Sequence, residues 1–161
     1  MSPNVDERIA SIVRALSEVI LPHLPPEASL AQEQVHLCIG HLQILRAQID
    51  DVPAFERGEL DDALALAAEL SGGVTGGSDT GAALSALSRA AAKACDENLP
   101  PAQVRAIRRE VLDAVDALVK AAAIDGTTAG RSFLTSAILR HEHARTLKDR
   151  QWFAPFGFDT L

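Results

Sequence analysis

The chain has 161 residues, 47% of them hydrophobic, and a formal net charge of −7 at pH 7. That length suits one ordinary domain with a real core, and the acidic balance excludes a phosphate-backbone partner, because nucleic-acid binding needs a basic surface. Alternation of apolar and polar residues never persists, alanine is abundant, and helix periodicity runs throughout, so the expected fold is an all-α, single-domain bundle of five to six helices.

The first helix is expected over Val5 to Leu21. Asn4 followed by Glu7 has the spacing of a capping box, and Val5, Ile9, Ile12, Leu16 and Ile20 form its apolar stripe. Pro22, Pro25 and Pro26 end it and force an extended link through His23. A central helix follows from Ala28 to Asp50. At 100° per residue, Val35, Cys38, Ile39, Leu42, Leu45 and Ile49 fall on one arc, with Leu37 and Ile44 nearly opposite. Between the arcs runs a strip of Glu33, His36, Gly40, Gln43 and Ala47. A helix that is apolar on two sides is expected to be buried on two sides. This helix is therefore read as the core element of the bundle, with its polar strip satisfied inside the protein.

A third helix lies within Pro53 to Leu70, with a break at Gly58 and a thin stripe of Leu60, Ala63, Leu64 and Ala67. Five glycines then fall between Gly72 and Gly81. The segment lacks the Gly-Lys-Ser/Thr end of a phosphate loop and no strand precedes it, so it reads as a flexible connector. The fourth helix spans Ala82 to Asp96. The fifth spans Ala102 to Ile124, with Val104, Ile107, Val111, Val115, Leu118 and Ala122 on one side and Asp125-Gly126 as its stop. The sixth runs from Arg131 to Asp149 with Leu134, Ala137, Ile138 and Ala144 inward. Residues 151–161 carry Trp152, Phe153, Phe156 and Phe158 and read as an aromatic tail packed on the bundle or on a partner subunit.

Charge is uneven. Asp51 to Leu70 holds six acids and one base, whereas Arg131 to Arg150 holds five bases and two acids, so the third and sixth helices are expected to be neighbours. Cys38 and Cys95 both lie in helical patterns and read as reduced, buried thiols, with no CxxC pair or zinc-ligand spacing. The opening residues carry a helix signal rather than a basic segment followed by an apolar run, and no apolar stretch reaches the roughly 18 residues of a membrane span. A cytoplasmic protein with no membrane partner is expected. The slightly positive mean hydropathy points to apolar surface buried in a homodimer.

Candidate chemistry centres on Glu33 and His36, three apart on one helix face. Glu-x-x-His is the spacing of carboxylate-bridged dimetal bundles, which need a second copy and two further glutamates. His141-Glu142-His143 has the wrong spacing for that copy, and His36 and His41 point about 140° apart on a helix. No metal or other cofactor is implied. His141 falls on the sixth helix's inward arc. The sharper expectation is a polar ligand-binding pocket of Glu33, His36, Gln43, His141 and Arg145, and the plainer one a core histidine satisfied by a carboxylate or carbonyl. His36 followed by Gly40 resembles the histidine segment of histidine-phosphotransfer domains, although Ile39 stands where those domains carry a lysine. The Val19-Ile20-Leu21-Pro22 end of the first helix, before a long apolar second helix, resembles short bacterial all-helical domains of unknown function encoded near phosphotransferase-like genes. That resemblance implies a fold and a bacterial cytoplasmic setting, not an activity. The function expected first is therefore a non-enzymatic helical bundle acting through self-association or partner binding. The alternatives are a small-molecule-binding or metal-assisted enzyme and a phosphotransfer protein.

Overall fold

The computed structural model describes residues 4–96 and 98–156, and Phe156 by its backbone alone. Six α-helices account for most of them: α1 (Val5–Arg14), α2 (Ser29–Gln48), α3 (Val52–Gly73), α4 (Ser78–Ala91), α5 (Pro101–Asp125) and α6 (Thr128–Phe153). No strand occurs among the described residues, and the all-α fold of five to six helices expected from periodicity is observed with six. The chain divides into two compact units, one ending at Val52 and the other beginning at Pro53.

The first unit is a helical hairpin. Asn4 and Glu7 close a reciprocal capping box at the start of α1. After Arg14 the helix widens into a π-helical stretch, Ala15–Ile20, and tightens into a 3₁₀ turn, Leu21–His23. Ser17 Oγ donates to the Val13 carbonyl at 2.9 Å, a side-chain bond that competes with the regular helix ladder at this widening. Arg46 then ties the end of α2 back to the start of α1 by a two-pronged bond to Asp6, at 2.5 and 3.0 Å. That bond holds the Asp6 carboxyl below its usual range. Ile9, Val13 and Leu16 of the first helical segment and Val35, Ile39, Leu42 and Ile49 of the second are half-buried.

Here the structure corrects the expected role of the central helix. In α2 only Gln48 is buried, and α1 buries nothing. Leu30, Leu37 and Leu45 are 69%, 49% and 54% exposed. Within its unit, α2 packs on α1 and the turns that follow it, which leaves Cys38 and Leu45 of the first arc and Leu37 of the second exposed. Cys38 and Cys95 are likewise exposed rather than buried.

The second unit holds the buried core. Leu60, Leu66 and Leu70 of α3, Leu87 of α4 and Leu134 of α6 close around the fully inward stripe of α5. That stripe is Val104, Ile107, Val111, Val115, Leu118 and Ala122, the set its periodicity marks. Full burial of a leucine is worth about 1.5–3 kcal/mol, and Leu60, Leu70, Leu87 and Leu118 are all fully buried. α3 runs unbroken through Gly58.

The glycine-rich segment is structured rather than a loose connector. Gly72 and Gly73 close α3, and α4 already begins at Ser78. The Asp125 carboxylate, at the end of α5, accepts from the amides of Asp79 and Thr80 at 2.8 and 3.0 Å and from the Thr80 hydroxyl at 2.6 Å. The chain's own anion thus occupies the position at a helix N-terminus that a phosphate would take. The Thr80 hydroxyl, set against partial desolvation and joined by the amides, holds the Asp125 carboxyl below its usual range. A Cβ on Gly77 would lie 2.5 Å from Asp125 Oδ2, so the small residue lets the carboxylate in. Beside it, Thr127 caps α6 through the Gly130 amide and its backbone amide donates to the Thr75 carbonyl.

Trp152 and Phe153 belong to the last turn of α6 rather than to a separate tail, and the Trp152 ring stacks on Phe55 with centroids 4.3 Å apart. Phe158 lies outside the described residues.

Candidate functional site

The charge asymmetry of the sequence resolves into an ionic seam between α3, α5 and α6. On α3, Glu59, Asp62 and Glu69 follow helical spacing along one side. On α6, His141, Arg145 and Lys148 do the same. Glu59 is the centre of the seam. Its side chain is only 5% exposed, and Arg108 of α5 donates to its Oε2 at 2.5 Å. Arg145 Nε stands 3.7 Å from the same oxygen and Lys148 Nζ 3.5 Å from Oε1. Lys148 also donates to Asp62 at 2.7 Å and lies over the Phe55 ring. Burial works against its charge, but the Asp62 and Glu59 carboxylates outweigh that and raise its pKa. At the outer end, Arg105 pairs with both oxygens of Glu56.

One step along the seam, Glu69 meets both Arg140 and His141, the latter with Nε2 3.0 Å from Oε2. The hydrogen bond from His141, opposed by partial desolvation and reinforced by the Arg140 charge, holds the Glu69 carboxyl below its usual range. The expectation that His141 is an inward histidine satisfied by a carboxylate describes this contact.

Glu59, Asp62, Ala63, Leu66, Arg108, Leu112, His141, Glu142 and Arg145 line a cleft of about 30 Å³. That space suits a water molecule or two; small-molecule sites are roughly tenfold larger. Glu59 Oε1 and Arg108 Nε are buried there without a hydrogen-bond partner, one an acceptor and the other a donor. The lining offers an acid–base pair next door in His141 and Glu69, but no serine, threonine or cysteine to act as nucleophile. Among the described residues, no group of three or more His, Cys, Asp or Glu is placed to hold a metal ion.

The five residues of the expected ligand pocket divide between the two units. His141 and Arg145 belong to the seam. Glu33, His36 and Gln43 sit on α2 in the hairpin, and all three are exposed rather than buried in a polar interior. His36 Nδ1 donates to the Gln32 carbonyl of its own helix at 2.9 Å. The residues that sequence reasoning missed are Glu59, Glu69, Arg108 and Lys148. A signal for the first was present: Glu59, Ala63, Leu66 and Leu70 recur at the four-three-four spacing of a buried stripe.

Comparison with protein-family models, with curated proteins and with solved structures finds no match. No helix among the described residues is long and apolar enough to cross a membrane.

Proposed function

We propose that this chain is a non-enzymatic helical-bundle protein that works through self-association, with the hairpin of α1 and α2 as the associating element. The observation that carries this is the absence of any buried apolar side chain in the hairpin's described residues, while Val5, Ile12, Val19, Ile20, Leu30, Leu37 and Leu45 are each more than 40% exposed. A unit of this size without a core needs a cover from elsewhere, most simply by oligomerisation. The ionic seam supports the same reading from the other side. Its charges are paired and its cleft is too small for a substrate, so it works as a clamp on α3, α5 and α6. Sedimentation velocity of the full chain across micromolar concentrations tests the proposal. Particles heavier than the 17.1 kDa chain are expected, and a strict monomer overturns it.

A second reading, phosphotransfer through His36, draws on the exposure of that residue and on the open space over Gly40 one turn later. Ile39 in place of a phosphate-steadying lysine weighs against it. Incubation with phosphoramidate followed by mass spectrometry decides: an acid-labile phosphate on His36 supports it, and none on any histidine removes it.

A further inference from the structure

We infer that the hairpin pairs with a second copy of itself through one defined face, formed by Val5, Ile12, Val19 and Ile20 from its first arm and Cys38 and Leu45 from α2. This rests on the association reading above and names the surface that reading leaves open.

Both arms repeat the same offset. In the first, Ile9 and Leu16 are half-buried, while Val5, Ile12 and Val19, each at a seven-residue interval from the last, are 56%, 49% and 59% exposed. In α2, Val35, Leu42 and Ile49 are half-buried, while Cys38 and Leu45, again seven apart, are exposed. These are the two apolar positions of a heptad. In each arm one faces the other arm and the second is turned outward. Because the arms are antiparallel and offset in the same sense, the outward positions lie on the same side of the hairpin. The extra residue in the π-helical stretch moves the frame by one, so Ile20 takes the outward position and Val19 flanks it. The Asp6–Arg46 bond fixes the register of the arms. With Asp6 opposite Arg46, Val5 and Leu45 both lie next to that pair, and Ile12 comes level with Gly40, two residues or about 3 Å from Cys38. This is half of an antiparallel four-helix bundle, with its inner layers open.

Apolar area favours a second copy as the occupant. Two chains of net charge −7 repel one another over most of their surface. The outward stripe itself is apolar, Arg8 and His41 flank it, and the half-exposed Asp6 carboxylate and Arg46 guanidinium at its end pair with each other. A second copy brings the same apolar stripe to meet it. The exposed parts of these side chains amount to roughly 500 Å² per copy, so a pair covers about 1,000 Å² before flanking polar atoms, the size at which specific interfaces begin. The Ile12/Cys38 layer lies midway along the stripe. Any two-fold pairing face to face therefore brings the two copies of that layer together, with the two Cys38 sulfurs on the order of 10 Å apart.

The full chain is the test material. A dimer is expected for the wild type. Ile12→Glu and Leu45→Glu each raise the concentration at which the dimer forms at least about tenfold, while Leu37→Glu, on the far side of α2, changes it less than about twofold. In a Cys95→Ser chain that is otherwise unchanged, a bismaleimide of about 10 Å span links two chains through Cys38. This arm needs no destabilising substitution, so it decides the matter even where the glutamate variants fail to fold. If the wild type associates but Leu37→Glu is the disruptive change and Cys38 does not link, the face is wrong and association stands. If the wild type is monomeric at every concentration, both fail.

Discussion

Replacing Glu59 by methionine removes the one carboxylate that three cations share. Loss of one partner from a fully buried ion pair costs about 3–5 kcal/mol, because the remaining charge is left without compensation. Here the carboxylate is 5% exposed, but Arg108, Arg145 and Lys148 keep 30%, 43% and 33% of their side chains in water, and Lys148 retains Asp62. Solvent therefore recovers part of the loss, and about 2–3 kcal/mol is expected. For a chain of this size each kcal/mol moves the melting temperature by about 2–4 °C, so calorimetry is expected to show a fall of about 4–12 °C. Methionine at both Glu59 and Arg108 removes the pair together and recovers more than half of the fall. A Glu59→Met protein that melts at or above the wild-type temperature refutes the view that the seam clamps α3 to α5 and α6.

Gly130→Ala places a Cβ 2.3 Å from the Thr75 carbonyl oxygen, a backbone atom that cannot swing aside, whereas Gly81→Ala meets nothing within 4 Å. Urea titration is expected to show the first strongly destabilised and the second stabilised by about 0.5–1 kcal/mol. Asp125 and Glu69 are both held below their usual ranges, so their stabilisation is full above the ordinary carboxylate pKa and is lost as pH falls through the lowered folded-state values. Stability measured from pH 6 down to pH 2 is expected to decline at the acid end, with a shallower slope for Asp125→Asn. Trp152 is the chain's single tryptophan and stacks on Phe55. Phe55→Leu is expected to red-shift its fluorescence, and an unchanged spectrum contradicts the stack.

The inward stripe of α5 was legible because six apolar residues recur at helical spacing with charge on every other side. The pairing of α3 with α6 was legible because each holds a block of one sign, and those blocks meet as Glu59, Asp62 and Glu69 against Arg140, Arg145 and Lys148. Glu59 was missed because a charged residue is set aside when a buried stripe is read, although it occupies a stripe position. The glycine segment was misread because its anchor, Asp125, is a non-local contact. The apolar arcs of α2 were read as buried on two sides, but Val35, Ile39, Leu42, Ile44 and Ile49 are only half-buried and Leu37, Cys38 and Leu45 are exposed. Periodicity marks apolar faces and does not say what meets them. The expected ligand pocket draws Glu33, His36 and Gln43 from one unit and His141 and Arg145 from the other, because helical position ranks residues on one helix and says nothing of which helices meet.

Hydrogen exchange of the full chain at low and high micromolar concentration addresses the hairpin most directly. Amides of α1 and α2 are expected to gain protection as concentration rises, while those of the buried stripe of α5 stay equally protected throughout. Hairpin amides already protected as strongly as α5 at the lowest concentration, and indifferent to its increase, would contradict self-association through this unit.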